Sequence, residues 1–172
     1  MSRHTVTREE NVETIDLSQL NGDFRNEIAS RPGAAFFARC FSCGTCTASC
    51  PVSEIDEGFN PRLIIRQALL GMKKELLSSE RLWFCAQCYT CFARCPQDVR
   101  FTDVMAVLRE IAVEQGYAPA RMKEGIPKVD TMAQVLRHGI AEYLWRAVRG
   151  EDVAEVEKRL KSELSRGLRE LA

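Results

Sequence analysis

Two cysteine runs with the same spacing constrain this 172-residue chain more than any other feature. Cys40, Cys43, Cys46 and Cys50 lead into Pro51; Cys85, Cys88, Cys91 and Cys95 lead into Pro96. Each run reads C-x2-C-x2-C-x3-C-P, and the two use all eight cysteines. Bacterial-type proteins hold a [4Fe–4S] cubane with this spacing. Three thiolates on a folded-back loop reach three irons of one cube, and the fourth iron takes a ligand from elsewhere. In two-cluster proteins the cysteine before the proline serves the other cluster. The expected ligand sets are therefore Cys40, Cys43, Cys46 and Cys95 for one cluster, and Cys85, Cys88, Cys91 and Cys50 for the second. Pro51 and Pro96 remove a backbone donor and fix φ, so each is expected to end its turn and send the chain away from the cluster.

Other uses of cysteine fit less well. Structural zinc takes two C-x2-C pairs per ion, not a triplet plus one. A disulfide framework needs an oxidising compartment, and Ser2 to Glu13 is polar and charged with no apolar core of a signal peptide. A thioredoxin-type C-x-x-C belongs beside a βαβ pattern, which is absent from the sequence.

The motif is part of a longer repeat. A shift of 45 residues lays Cys40–Pro51 on Cys85–Pro96 with 7 of 12 positions identical, Thr45 on Thr90 and Ala48 on Ala93 among them. Further on, Leu63 meets Leu108 and Gly71 meets Gly116. Each half thus reads as a cysteine loop, a connection, a helix and a glycine stop. In the first, Asn60 is the expected N-cap, Pro61 the first helical residue, and Leu63, Ile64, Ala68 and Leu69 the apolar face. In the second, Thr102 is the expected cap, ahead of Val104, Val107, Leu108, Ile111 and Ala112 at helical spacing. β-branched alternation is scarce. The fold class is mainly α, with pseudo-two-fold cluster-binding halves in residues 34–125 making one domain.

Flanking segments complete the chain. An N-terminal arm, residues 1–33, is polar, with short apolar alternation at Val12, Ile15 and Leu17 and a helix expected near Phe24–Ile28. Residues 126–172 form a C-terminal helical extension. One helix is expected from about Asp130 to Arg149, after the breaker-rich stretch Gly116–Pro127. Its apolar side holds Met132, Val135, Leu136, Ile140, Tyr143, Leu144 and Ala147. Beyond Gly150, Val153, Val156, Leu160, Leu164, Leu168 and Leu171 form a second stripe. That stripe suits either core packing or association with a partner or a second copy.

No stretch approaches the roughly 20 apolar residues that cross a bilayer, so direct membrane insertion is not expected and the location expected is cytoplasmic. The 24 basic and 24 acidic side chains balance, which argues against nucleic acid as a partner. Arg39, Arg62, Arg66, Arg94 and Arg100 lie near the motifs in sequence and could offset the charge of anionic clusters. Phe36, Phe37, Phe41, Trp83, Phe84, Tyr89, Phe92 and Phe101 crowd the motifs and would shield them from water. His4 and His138 stand alone, and no phosphate loop, nucleophile elbow or catalytic carboxylate pair is present, so no catalytic residue is assigned.

Cys40–Pro51 with Val52, then Asn60-Pro61-Arg62 and Gly71, then Trp83-x-Cys85-x-x-Cys88-Tyr89-Thr90-Cys91-x-x-Arg94-Cys95-Pro96, resemble the C subunit of heterodisulfide reductase. The resemblance covers roughly residues 12–117. It implies an α-helical ferredoxin fold, two [4Fe–4S] clusters and a place in a larger complex. There such a chain relays electrons between a flavin- and cluster-bearing A subunit and a B subunit. CCG motifs in the B subunit build the site that reduces a disulfide such as the coenzyme M–coenzyme B heterodisulfide. This chain has no adjacent cysteine pair, so the resemblance makes it an electron wire without that catalytic site. Related α-helical ferredoxins serve quinone-linked dehydrogenases of the succinate, glycolate or glycerol-phosphate type, which is the alternative role. A third reading is a structural protein whose clusters only brace a binding surface.

Overall fold

A computed structural model describes residues 16–171, with the side chain of residue 17 excepted. Every regular element among them is helical. A 3-10 turn, Leu17–Gln19, comes first, and the first α-helix is α1, Phe24–Ala29, at the position expected from the sequence; Val12 and Ile15 lie outside the described residues. Phe24 and Ile28 are fully buried and join the core against α4 (Pro61–Leu70) and α7 (Phe101–Glu114). Lys73 Nζ reaches Glu27 at 2.7 Å, and Arg31 grips Glu114 with two bonds of 3.0 and 2.6 Å. These ion pairs are half-exposed, so burial of Phe24 and Ile28, on the order of 1.5–3 kcal/mol each, dominates the attachment.

The helix of the first half forms as its residues dictate. Asn60 Oδ1 accepts the Leu63 amide at 3.0 Å, Pro61 takes the first helical position, and α4 ends at Gly71 with φ +77°. Gly71 cannot carry a side chain: a Cβ there would run into the backbone carbonyl of Asn21, whose own amide bonds Gly71 O at 2.8 Å. The buried face is Pro61, Ile64, Ile65 and Ala68. Leu63, expected on that face, is exposed, because the helix turns it away from α1 and toward the first cysteine loop.

The second half departs from expectation at its start. Thr102 is not a cap: α7 begins at Phe101, behind Arg100 in the left-handed region with φ +56°. Thr102 is buried, and its hydroxyl lies 3.4 Å from Cys91 Sγ instead of closing the helix end. Val104, Met105, Val107, Leu108, Ile111 and Ala112 are all buried, so α7 lies at the centre of the core with only its Glu110 and Glu114 side turned outward. It packs against α1, α5 (Lys73–Leu77), α6 (Thr90–Arg94) and α8 (Ala120–Val148).

α8 starts ten residues earlier than the sequence pattern suggested and runs through Pro127. Proline in a helix removes one amide and strains one turn. Here Pro119 precedes the first turn, Lys123 Nζ ties that turn to Glu110 of α7 at 3.0 Å, and the Thr131 hydroxyl donates to Pro127 O at 2.9 Å. After Gly150 the chain returns as α9, Ala154–Leu171, packed along α8. Contact centres on Gly139, where a Cβ would collide with Leu160, and on buried Val156. Met132 and Leu136 share that seam. Val135, Ile140, Tyr143, Leu144, Ala147, Leu164 and Leu168, expected on the apolar sides, are exposed.

Candidate iron–sulfur centre

Both cysteine loops are built the same way. The first follows a 3-10 turn, Phe37–Arg39; the second follows a 3-10 turn, Glu80–Trp83. Two residues after the first cysteine, Ser42 and Gln87 take positive φ, +61° and +48°. Two residues later Gly44 and Tyr89 do so again, at +83° and +59°. Each loop then closes in a one-turn helix: α2, Thr45–Ala48, carrying Cys46, and α6 carrying Cys91. Cys50 and Cys95 are both extended, with ψ of 119° and 116°, as a residue before proline requires. Only glycine occupies the left-handed region freely, and another residue costs about 1–2 kcal/mol there. Spending that at Ser42, Gln87 and Tyr89 is the mark of a functional loop. Backbone that alternates hand in this way turns successive N–H groups toward one concavity, which suits an anionic group such as a cluster. The prolines act differently from each other: Pro51 opens a helix, α3 (Pro51–Ile55), whereas Pro96 leads into a turn.

α2 and α6 pack on each other, so the loops face across a shared boundary. Cys50 of the first motif lies close enough to Cys85 and Cys91 of the second for its charge to discourage their ionisation. Burial is the larger cause in each case, and it pushes the Cys46, Cys85 and Cys91 thiols up. Cys43 goes the other way, held down by the Thr45 hydroxyl 3.3 Å from its sulfur. Hydrogen bonds reach the sulfurs in both halves. Ser42 N–H donates to Cys40 at 3.4 Å, Val99 N–H donates to Cys95 at 3.4 Å, and Thr90 pairs with Cys88 at 3.5 Å. Cys43 and Cys88 are exposed; the other six cysteines are buried or half-buried. Among the described residues no three Cys, His, Asp or Glu side chains close around a point that a single ion would fill. The donors are spread over two loops of matching backbone.

Residues 37–99 match the family model of the 4Fe-4S dicluster domain. The chain is 38% identical over 122 residues to the iron-sulfur C subunit of the CoB–CoM heterodisulfide reductase of Methanopyrus kandleri, covering 67% of this chain and 59% of that one. It is 34% identical over 134 residues to the C 2 iron-sulfur subunit of that reductase in Methanocaldococcus jannaschii, covering 74% and 68%. To the C subunit of the H(2):CoB-CoM heterodisulfide,ferredoxin reductase of Methanothermobacter thermautotrophicus it is 40% identical over 121 residues, covering 70% and 63%. The chain belongs to the family of heterodisulfide reductase C subunits. It is an iron–sulfur protein, and it spans 59% to 68% of the length of these three relatives.

Within that family frame, the aromatic and basic residues fall into distinct groups. Phe37 and Phe101 are buried beneath the motifs and Trp83 is half-buried, so they shield as expected. Phe36, Phe41, Phe84 and Tyr89 are exposed and form a surface rim beside the loops instead. Of the five arginines singled out by sequence position, Arg39, Arg62, Arg66 and Arg94 are exposed, and Arg100 pairs with Asp98 at 3.1 Å. Two polar side chains are buried on α7: Thr102, expected as a cap, and Arg109, which the apolar spacing did not single out. His138, on α8, is exposed and stands well along the helix from either loop.

No helix among the described residues is long and apolar enough to cross a membrane.

Proposed function

We propose that this chain is the electron-relay component of a heterodisulfide reductase-like complex. In this reading Cys40, Cys43, Cys46 and Cys95 hold one [4Fe–4S] cluster, and Cys50, Cys85, Cys88 and Cys91 hold the other. Each cluster, when bound, takes up and releases one electron. The observation that carries the reading is the paired loop geometry: left-handed residues at 42 and 44 recur at 87 and 89, each ahead of a one-turn helix. The approach of Cys50 to Cys85 and Cys91 favours the crossed ligand sets.

What the chain's own residues do follows from burial. Phe37, Phe101 and Cys91 keep water from the inner side of the motifs, while the backbone N–H groups and hydroxyls hold the sulfurs in place. Cys43 and Cys88 reach the surface, one on each loop, so an electron has a point of entry and a point of exit. The aromatic rim around them gives neighbouring chains something to pack on. In the relay, a flavin- and cluster-bearing A subunit and a CCG-motif B subunit stand on either side. A disulfide of the CoB–CoM class named for the relatives is reduced on the B subunit, since this chain has no adjacent cysteine pair. Residues 34–125 are the cluster-binding unit, with residues 126–172 as an accessory extension and residues 1–33 as an arm whose Phe24 and Ile28 pack into that unit's core.

Anaerobic affinity purification of the chain from its native host tests this. A flavoprotein and a CCG-motif protein should copurify, and this chain, once separated from them, should carry about eight irons, four for each cubane. Recovery with a dehydrogenase or a quinone-linked membrane protein would move the chain to the alternative role.

A further inference from the structure

The two halves repeat in sequence, but at one buried position they differ by a full charge. The 45-residue shift that lays Gly71 on Gly116 lays Ile64 on Arg109. The register survives folding, because Gly71 and Gly116 follow their helices with φ of +77° and +75°. Ile64 is 3% exposed and Arg109 5%, so both belong to the core. Among the described residues Arg109 is the one buried side chain with a charge.

Arg109 is held by groups that orient it without neutralising it. Its Nε donates to Leu82 O at 2.6 Å and its Nη2 to Cys85 O at 3.1 Å. The guanidinium lies 5.8 Å from the Trp83 ring centroid. It interacts with the Cys85 thiol and, among acids, with Asp130 on α8, which also accepts from Gln87 Nε2 at 3.3 Å. Carbonyl dipoles and an aromatic face do not cancel a formal charge, and Asp130 attracts the guanidinium without one of the hydrogen bonds that hold it. An anionic cluster beside Cys85 would add a counter-charge.

The first loop has no equivalent. Arg62 and Arg66 line its outer side beside Ser42, but both are exposed, where water and salt weaken their field within a Debye length of about 8 Å. Hydrogen bonds separate the halves less. Thr45 and Thr90 serve equivalent sulfurs, and Thr102 adds one neutral hydroxyl 3.4 Å from Cys91. The buried charge at position 109 is the larger difference.

We propose that Arg109 makes the two clusters unequal, raising the reduction potential of the one held by Cys85, Cys88 and Cys91 above its neighbour. A fixed cation favours the more negative, reduced state, and net charge and burial are recognised determinants of cluster potential. One electron then leaves the first-loop cluster, oxidising it by one unit, and reduces the second-loop cluster by one unit; no bond forms or breaks. Arg109 is a positioning residue in this step, acting through space on the cluster and through Leu82 O and Cys85 O on the loop. The inference rests on the two-cluster reading above.

The test is an anaerobic, EPR-monitored redox titration of the full-length chain with both clusters loaded, the signals being assigned with Cys43→Ser and Cys88→Ser. Arg109→Met should lower the second-loop potential at least about tenfold in the one-electron equilibrium, about 59 mV, and leave the first unmoved. Arg109→Lys, which keeps the charge, should stay closer to the native value than Arg109→Met. Asp130→Asn, which removes the opposing charge without touching the core, should shift the same cluster upward. Equal shifts in the Met and Lys variants, equal shifts in both clusters, or a second-loop potential indifferent to Asp130→Asn would overturn the proposal. If Arg109→Met does not load iron, Asp130→Asn and Arg109→Lys decide. A native chain with fewer than two reducible clusters would instead sink the reading beneath it.

Discussion

Cys50 is the residue on which the ligand assignment turns. It ends the first motif in sequence, yet its charge is felt at Cys85 and Cys91 of the second. Replacing it with alanine should therefore damage the cluster bound by Cys85, Cys88 and Cys91 more than the one bound by Cys40, Cys43 and Cys46. Mössbauer or EPR spectra of the variant check this, and the opposite pattern would reassign every fourth ligand. Gly71 makes a stability prediction of a different kind. Gly71→Ala adds both the left-handed penalty and a collision with Asn21 O, so it should cost about 3 kcal/mol in anaerobic denaturation. Gly116→Ala, with the same left-handed backbone but open space around it, should cost only about 1 kcal/mol. Both glycines were legible as helix stops in the sequence. The contact that makes one of them irreplaceable was not, because Asn21 lies fifty residues away along the chain.

The start of α4 shows how a cap can also serve a site. Asn60 Oδ1 accepts from Leu63 N–H and from the Thr47 hydroxyl at 2.9 Å, and Thr47 Oγ1 in turn accepts the Arg62 amide at 3.1 Å. The cap thus ties α4 to α2, and through α2 to Cys46. Asn60→Ala should cost about 2 kcal/mol, at the upper end for a lost cap, and should speed iron loss to a chelator from the first loop. The N-cap was predictable from Asn-Pro at the head of an apolar run; its grip on Thr47 was not. α7 teaches the converse. Its stripe was legible, but Thr102 was expected at the end of the helix because threonine is a common cap, and in the fold a sulfur competes for its hydroxyl. The extension of α8 back through Pro127 was hidden for a similar reason: local breakers predicted a loop, and contacts with α7 stabilise the helix across them.

Stability of the folded chain depends on the state of its thiols. Cys46, Cys85 and Cys91 have folded values above the ordinary 9.0 of the free group, burial being the main cause. In cluster-free protein the neutral thiol is therefore favoured by folding, and that stability is fully present below pH about 9 and lost as pH rises through the folded values. Removal of iron should lower the melting temperature, and the cluster-free chain should melt progressively lower as pH is raised above about 9. Thermal melts across that range, with Cys85→Ala giving a shallower slope, are the check. By itself, the order of residues determined the cluster chemistry, the internal repeat and the helical class. Ligand spacing and apolar period are local properties, written within a dozen residues of one another. Tertiary structure decided which thiols are buried, which aromatics are buried and which stand exposed, and where one charge enters the core. Those outcomes depend on which segments meet across the fold, and a repeat that looks symmetric along the chain carries Ile64 and Arg109 to sites that differ in charge.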